Sequence, residues 1–171
     1  MSKFDRQLRI IEEDIFEGAS DEEVEERKEK GREILLKERL EVIKSRSSVN
    51  SDGSLDVEGS VNLSFLRLKE IPLKFNKVNG FFDCSYNQLT SLEGCPKIVN
   101  GNFYCSSNQL TSLEGSPKII NDFFSCDNNE LTSLKGCPKE VNRVFSCVGN
   151  KVKFTEEDVR KHCNVKGIIY V

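Results

Sequence analysis

A segment of 21 residues repeats without a gap through the middle of this chain, and this period constrains the fold more than any other feature. The three clearest copies are GFFDCSYNQLTSLEGCPKIVN at 80–100, GNFYCSSNQLTSLEGSPKIIN at 101–121 and DFFSCDNNELTSLKGCPKEVN at 122–142. Residues 59–79 are a degenerate first copy, and residues 143–154 begin a fifth. A short fixed period predicts a solenoid, in which each copy forms one coil and packs only on its neighbours.

Each copy contains the pattern F-x-C-x-x-N-x-L-x-x-L, which fits a short strand followed by a turn. Because side chains alternate along a strand, Phe82 and Cys84 share one face, and we predict that both lie inside with Leu89 and Leu92. We predict that Asn87 bonds backbone groups that the turn leaves unpaired. Cys is often buried, and thiols in a line do not converge on a zinc ion. We therefore interpret one column of cysteines as core filler: Cys84, Cys105, Cys126 and Cys147.

The pattern resembles the leucine-rich repeat, L-x-x-L-x-L-x-x-N-x-L, whose second Leu, third Leu, Asn and fourth Leu match Phe82, Cys84, Asn87 and Leu89. The N-x-L-T-S-L stretch is similar to the short repeats of secreted bacterial effectors. Over residues 52–171 the chain looks most like leucine-rich-repeat proteins of tailed bacteriophages, with an opening motif at 56–64 and a closing motif at 153–167. The resemblance implies a leucine-rich-repeat solenoid.

The first 48 residues differ from the rest of the chain, with 14 acidic and 11 basic side chains against 14 of each in the remaining 123. One apolar stripe predicts a first helix: Phe4, Leu8, Ile11 and Ile15. Ser20 and Glu23 predict a capping box for a second helix that runs to about Lys44. The apolar stripe of these helices has two interpretations. It caps the first coil, or the charged second helix reaches out to a partner or dimerises as a short coiled coil. A monomer and a dimer through the N-terminal helices therefore both stay open.

Both ends of the repeats are predicted to carry caps. Residues 45–54, SRSSVNSDGS, predict a linker. Thr155 and Asp158 predict a capping box for a C-terminal helix, and residues 166–171 predict a buried strand that finishes the sheet. The predicted organisation is α+β in four parts: 1–48, a charged helical segment; 49–58, a linker and the strand that leads into the repeats; 59–154, about five coils of a leucine-rich-repeat solenoid; and 155–171, a helix-strand cap.

Composition argues against most catalytic and ligand-binding classes. The net charge of −3, with balanced charge in the repeats, argues against nucleic acid and anionic membranes as partners. No apolar run approaches a membrane span and no secretory signal opens the chain, so we expect a cytoplasmic protein whose seven cysteines are reduced. His162 is the single histidine, and its neighbour Cys163 does not face it on a helix. We therefore predict no catalytic residue, no metal site and no cofactor.

The positions that vary between copies are the candidate binding residues. With Phe82 and Cys84 inside, the alternate strand positions point outward, and they include Ser85, Ser106, Ser125 and Ser146. Aromatic side chains on or beside this face exceed what scattered surface residues require, and aromatics are favoured in interface cores. We therefore predict a partner-binding face: Phe65, Phe81, Asp83, Tyr86, Tyr104, Phe123 and Asp127. The alternative interpretation is that these aromatics pack against each other or beneath the N-terminal helices.

These observations predict a non-enzymatic protein-protein interaction module. The phage resemblance implies that its partner is a host or phage protein in the cytoplasm of an infected bacterium, which the chain inhibits or redirects by occlusion. One alternative is a virion-associated accessory protein. Another alternative is a repeat-bearing ubiquitin ligase. We disfavour that enzyme because such ligases carry their catalytic Cys in a separate large helical domain, and only 17 residues follow Phe154 here.

Overall fold

The computed structural model describes residues 20–171. Backbone contacts divide the chain into two units, of which the first ends at Leu35 and the second is Leu36–Val171. Helix α1 (Asp21–Ser45) extends through this division. The predicted capping box at its start is confirmed, because the Ser20 amide donates to Glu23 Oε2 (2.8 Å) and the Glu23 amide donates to Ser20 Oγ (3.3 Å). The helix predicted from Phe4 to Ile15 lies outside the described residues.

Two sheets of short strands form the second unit, and each coil contributes one strand to each sheet. The seven-stranded sheet has the order β1-β2-β4-β6-β8-β10-β12, and the six-stranded sheet has the order β3-β5-β7-β9-β11-β13. The strands are β1 (Ser47–Val49), β2 (Leu55–Val57), β3 (Val61–Asn62), β4 (Phe75–Val78), β5 (Phe82–Asp83), β6 (Ile98–Val99), β7 (Phe103–Tyr104), β8 (Ile119–Ile120), β9 (Phe123–Ser125), β10 (Glu140–Val141), β11 (Val144–Ser146), β12 (Asn164–Val165) and β13 (Ile168–Tyr170). Helix α2 (Glu156–His162) separates β11 from β12.

The strand register shows the 21-residue period directly. In the six-stranded sheet Phe82 pairs with Phe103, and Phe103 pairs with Phe124, each one repeat further along the chain. All pairs are parallel except β1 with β2. The chain is therefore a β-solenoid with an N-terminal helix, as the repeat predicts, but it has about six coils rather than five. The strands of the first coil (β2 and β3) and of the last coil (β12 and β13) join the two sheets through backbone hydrogen bonds. These two coils can therefore form without the side chains that the repeat conserves between copies.

Columns of identical side chains fill the interior. Phe82, Cys84, Leu89 and Leu92 are all fully buried, which confirms the predicted inward positions. Neighbouring phenylalanines of the first column stack, with ring centroids 5.5 Å apart for Phe82 and Phe103. Burial of one such Phe or Leu side chain contributes about 1.5–3 kcal/mol to folding. Because every coil repeats the same contacts, these columns form one continuous core along the solenoid.

The predicted linker at 45–54 is wrong in part, because Ser47–Val49 forms strand β1. This strand pairs antiparallel with β2, with Ser48 opposite Asp56. The connecting turn is closed by the Asn50 amide, which donates to the Ser54 carbonyl (2.8 Å), and by the Asn50 side chain, which donates to Asp56 Oδ1 (3.1 Å). Sequence composition favours a loop here, but these hydrogen bonds make a hairpin that covers the first edge of the seven-stranded sheet.

Two arginines cover the corresponding edge of the six-stranded sheet. Three carbonyl groups of the first coil point away from β5 at this edge: Ser60, Asn62 and Ser64. Arg39 Nη1 donates to the carbonyls of Asn62 (3.3 Å) and Ser64 (2.9 Å), and Arg46 Nη2 donates to that of Ser60. Ile43, between them on α1, is 2% exposed. The C-terminal part of α1 therefore satisfies an edge that would otherwise offer bare carbonyl groups.

The C-terminal cap is partly as predicted. The capping box of α2 is confirmed, because the Asp158 amide donates to Thr155 Oγ1 (3.2 Å) and the Thr155 amide donates to Asp158 Oδ2 (3.0 Å). Strand β13 ends the six-stranded sheet by pairing with β11. The prediction that this strand is buried is wrong, since Ile168 is 57% and Tyr170 is 51% exposed. Both side chains lie on the outward face of the sheet, where no described segment covers them.

Candidate protein-binding face

A column of buried asparagines positions the turn that follows each strand of the six-stranded sheet. Asn87 Oδ1 accepts hydrogen bonds from the amides of Leu66 and Leu68 (both 3.0 Å). Its Nδ2 donates to the carbonyls of Leu63 (2.8 Å) and Cys84 (3.0 Å). The equivalent bonds recur in the next coils at Asn108, Asn129 and Asn150. The predicted structural role of this column is confirmed, and it leaves no amide group of these side chains for a ligand.

The residue before each of these asparagines has a positive φ angle, and so does Phe65, which stands at the equivalent position before Leu66 in the first coil. The five equivalent residues are Phe65 (60°), Tyr86 (54°), Ser107 (54°), Asn128 (51°) and Gly149 (73°). This left-handed region costs roughly 1–2 kcal/mol for an L-residue with a side chain, and glycine and asparagine adopt it most readily. Asn128 and Gly149 suit the position, whereas Phe65 and Tyr86 do not. Backbone conformation alone therefore does not favour the two aromatic residues at this turn.

Phe65 and Tyr86 stack on one another at the end of the strands, and we call them the aromatic pair. Their ring centroids are 4.3 Å apart and their planes differ by 8°. Phe65 is 64% and Tyr86 is 54% exposed, so each ring keeps most of its surface in water. Exposed apolar surface combined with an unfavourable backbone conformation is typical of a functional position.

The other predicted aromatics lie on the strands, on what we call the outer face of the six-stranded sheet. Tyr104 and Phe123 contact each other edge to face, with centroids 5.6 Å apart, and both are half-buried. Phe81 is exposed in the same column as Phe123 and Val144. The structure thus brings four of the five predicted aromatics together in two pairs, and Phe81 belongs to neither. The alternative interpretation, that the aromatics pack against each other, therefore holds for both pairs. Even so, the rings of the aromatic pair at the turn remain exposed to solvent.

The two predicted carboxylates have different surroundings. Asp127 accepts hydrogen bonds from Ser125 Oγ (2.8 Å), Ser146 Oγ (2.6 Å) and the Val148 amide (2.8 Å). Asp83 accepts one from the Ser85 amide (2.9 Å). Asp83 also helps to raise the pKa of Tyr104, although partial burial of the phenol is the larger cause. No Lys or Arg occupies an outward position on β5, β7, β9 or β11, although Arg39 of α1 interacts with the charge of Asp83.

Three serines predicted to lie on the outer face are not available on its surface. Ser85, Ser125 and Ser146 are only 4–5% exposed. Their small side chains sit below the level of their neighbours, and the hydroxyls of Ser125 and Ser146 bond the carboxylate of Asp127. Fewer residues of the candidate face are therefore exposed than the alternation of side chains along the strand predicts.

A second column of asparagines lies on the other sheet and had no predicted role. Its members stand where the leucine-rich-repeat pattern has its first Leu: Asn79, Asn100, Asn121 and Asn142. Each Nδ2 donates to the Oδ1 of the preceding member at 2.9–3.0 Å, and the Asn79 amide group donates to Glu58 Oε1 (2.8 Å). The 21-residue spacing of these asparagines was the available signal. The chain of amides links successive coils.

The column of cysteines is buried, and burial keeps the thiols of Cys105, Cys126 and Cys147 protonated at neutral pH. Cys105 Sγ donates to the Ser125 carbonyl (3.3 Å), and Cys84 and Cys126 make the same contact in their own coils. Burial raises the pKa of Cys105 and Cys126 well above the ordinary value, and it raises the pKa of Cys147 to about 11. A thiol without thiolate character is a poor nucleophile, so the column fits core packing.

We expect these four thiols to resist modification in the folded protein. A thiol-specific alkylating reagent at neutral pH should label Cys84, Cys105, Cys126 and Cys147 only as fast as the chain unfolds, and labelling should become rapid in denaturant. Peptide mass spectrometry gives the rate at each site. Equal rates at Cys105 in the presence and absence of denaturant would contradict the burial of this column.

Several other types of site are not formed by residues 20–171. In this part of the chain, no three side chains of the types that ligate metals come together. None of the helices described there has both the length and the apolar character that a membrane span requires. Comparisons with protein-family models, with curated proteins and with solved structures find no match.

Proposed function

We propose that the chain is a non-enzymatic protein-binding module and that its outer face, with the aromatic pair at one end, engages a partner protein. The observation that carries this proposal is the conformation of Phe65 and Tyr86. Two large rings occupy turn positions with φ near +60° and stay more than half exposed, where Asn or Gly would be less strained. Rigid, exposed aromatic rings contribute strongly to protein interfaces, because they bury large areas at a small cost in conformational entropy.

Charge on the outer face favours a basic partner segment. Asp83 on β5 and Asp127, which follows β9, are the acidic residues of this face, and Arg39 interacts with the charge of Asp83. A Lys or Arg of the partner gains from these carboxylates and from the faces of the exposed rings through cation-π attraction. We therefore propose that the bound segment combines basic and apolar side chains. The sequence resemblance to leucine-rich-repeat proteins of bacteriophages favours a host or phage protein as this partner, inhibited by occlusion.

Selection from a random-peptide display library tests this proposal. The wild-type chain should enrich peptides that place Arg or Lys beside apolar residues. The variant Phe65→Asn/Tyr86→Asn should bind the enriched peptides about 30-fold more weakly, since two aromatic contacts of about 1 kcal/mol each are lost. Titration calorimetry with the wild-type and variant proteins measures this difference.

A matched control separates binding from folding. Ser107→Asn changes the equivalent turn of the next coil without removing a ring, and it should leave peptide affinity unchanged. All three proteins should unfold at similar urea concentrations, because Asn accepts the left-handed conformation. Retention of full affinity by Phe65→Asn/Tyr86→Asn would exclude the aromatic pair. The variant Tyr104→Ala/Phe123→Ala then shows whether binding extends along the strands.

A further inference from the structure

Strand β13 is the last strand of the six-stranded sheet, and one side of its backbone is unpaired in the described chain. The Ile168 amide donates to the Arg143 carbonyl (3.0 Å), and the Tyr170 carbonyl accepts from the Cys147 amide (3.0 Å). Backbone groups alternate sides along a strand, so the amide and carbonyl of Ile169 point away from β11. The edge therefore presents both a donor and an acceptor at Ile169.

The two edges of this sheet differ in whether their outward-pointing backbone groups have hydrogen-bond partners. At the first edge, Arg39 and Arg46 bond the carbonyls that point outward. At the last edge, no described residue does the same, and residues 167–171 contain no Lys, Pro or acidic side chain. Charged residues and Pro are the usual means by which proteins prevent an edge strand from pairing with another strand. The absence of these residues leaves β13 competent to pair.

The side chains of this edge are apolar and exposed. Ile168 is 57%, Tyr170 is 51% and Val171 is 40% exposed. Ile168 and Tyr170 lie on the same face of the strand, one on either side of Ile169. An apolar edge with free backbone groups can bind a second β-strand that has apolar residues at alternate positions.

We propose that this second strand is β13 of another copy, so that two chains pair antiparallel about a two-fold axis at Ile169. In this register the two Ile169 residues exchange both backbone hydrogen bonds, as opposed residues do in an antiparallel ladder. Ile168 of each copy then lies opposite Tyr170 of the other, and the exposed apolar side chains cover one another. The edge is thus complementary to itself, which a two-fold interface requires.

Neighbouring charges permit this close approach. Lys166, the basic residue nearest to the strand, pairs with Glu140 of its own chain at 2.7 Å. Two copies therefore meet without an unpaired like charge beside the axis. Gly167 lets β13 lie tightly on β11, since a Cβ there would stand 1.8 Å from the Arg143 carbonyl oxygen. The dimer joins two six-stranded sheets into one, and it does not depend on the proposed function of the outer face.

Analytical ultracentrifugation of the full chain over a range of concentrations tests the dimer. The wild-type protein should pass from the mass of one chain, 19.4 kDa, to twice that mass as concentration rises. Ile168→Lys/Tyr170→Lys places like charges across the axis and should weaken dimerisation about 100-fold. Val49→Lys/Ile119→Lys adds the same charge at exposed positions of the seven-stranded sheet and should dimerise like the wild type.

Hydrogen exchange locates the interface independently. In the wild type, the Ile169 amide should exchange more slowly as concentration rises, and in Ile168→Lys/Tyr170→Lys its rate should not depend on concentration. A wild-type chain that stays monomeric at all concentrations would overturn the proposal. It would equally be overturned by a dimer that survives the two lysines, or by concentration-dependent protection in residues 20–45 instead of β13.

Discussion

Replacing Asn108 with alanine is expected to destabilise the solenoid by about 4 kcal/mol or more. The Asn108 side chain accepts from the Leu89 amide (3.0 Å) and donates to the carbonyls of Cys84 (3.0 Å), Cys105 (3.1 Å) and Ser106 (3.3 Å). Alanine removes this partner from the Leu89 amide and from the Cys84 and Cys105 carbonyls, although both carbonyls keep a bond from another asparagine of the column. An unpaired buried group costs roughly 1–3 kcal/mol, and each further hydrogen bond that is lost costs about 1 kcal/mol. The Ser106 carbonyl keeps the hydrogen bond from the Tyr86 amide (3.0 Å). Because proteins of this size are stable by only about 5–15 kcal/mol, the loss should shift unfolding to far lower urea concentration.

Asn121→Ala is the matched control for this prediction. Asn121 also belongs to a column with a 21-residue period, but it is exposed and bonds only the side chains of Asn100 and Asn142 (both 3.0 Å). Water can replace those bonds, so we expect a loss below about 1 kcal/mol. Urea unfolding followed by circular dichroism gives both values. Similar losses in the two variants would show that the buried column does not hold the turns.

The interior of the solenoid was predictable because the repeat supplies the same evidence several times. Phe82 and Cys84 stand two residues apart in a strand, and the same pair recurs in each later coil, so their shared face is clear. The strands of the seven-stranded sheet are harder to predict. Ile98–Val99, Ile119–Ile120 and Glu140–Val141 each contain one buried side chain, which shows no alternation, whereas Phe82 on β5 is followed two residues later by the buried Cys84. Strands β2 and β13 lie in segments that the sequence predicts as strands, at 49–58 and 166–171, but β12 escapes prediction because it does not show the repeat.

The candidate site was predictable as a set of positions but not as a geometry. Variation between copies identifies Phe65, Tyr86 and Tyr104, yet it carries no information about which rings touch. The positive φ angles were partly encoded, because Asn128 and Gly149 occupy the same column and both residue types favour that conformation. Arg39 and Arg46 could not be assigned from sequence. Their role depends on which carbonyls the first coil leaves unpaired.

Gly115→Ala is expected to destabilise the protein by about 3 kcal/mol or more, because it forces two coils apart. Gly115 has a φ angle of +87°, and a Cβ there would lie 2.5 Å from the Leu92 carbonyl carbon and 2.7 Å from the Glu93 nitrogen. Backbone atoms cannot rotate away as a side chain can. The substitution therefore has to stretch the spacing between coils that bonds such as Lys118 amide to Lys97 carbonyl (2.8 Å) maintain.

Gly53→Ala separates the cost of packing from the cost of conformation. Gly53 also has a positive φ angle, +78°, but nothing lies within 4 Å of the added Cβ. Its substitution should cost only about 1 kcal/mol, the strain of the left-handed conformation alone. The difference between the two variants in urea unfolding then measures how tightly the coils stack. A difference near zero would mean that the coils yield to a methyl group. The narrow backbone-to-backbone contact at Gly115 would then not limit the spacing of the repeat.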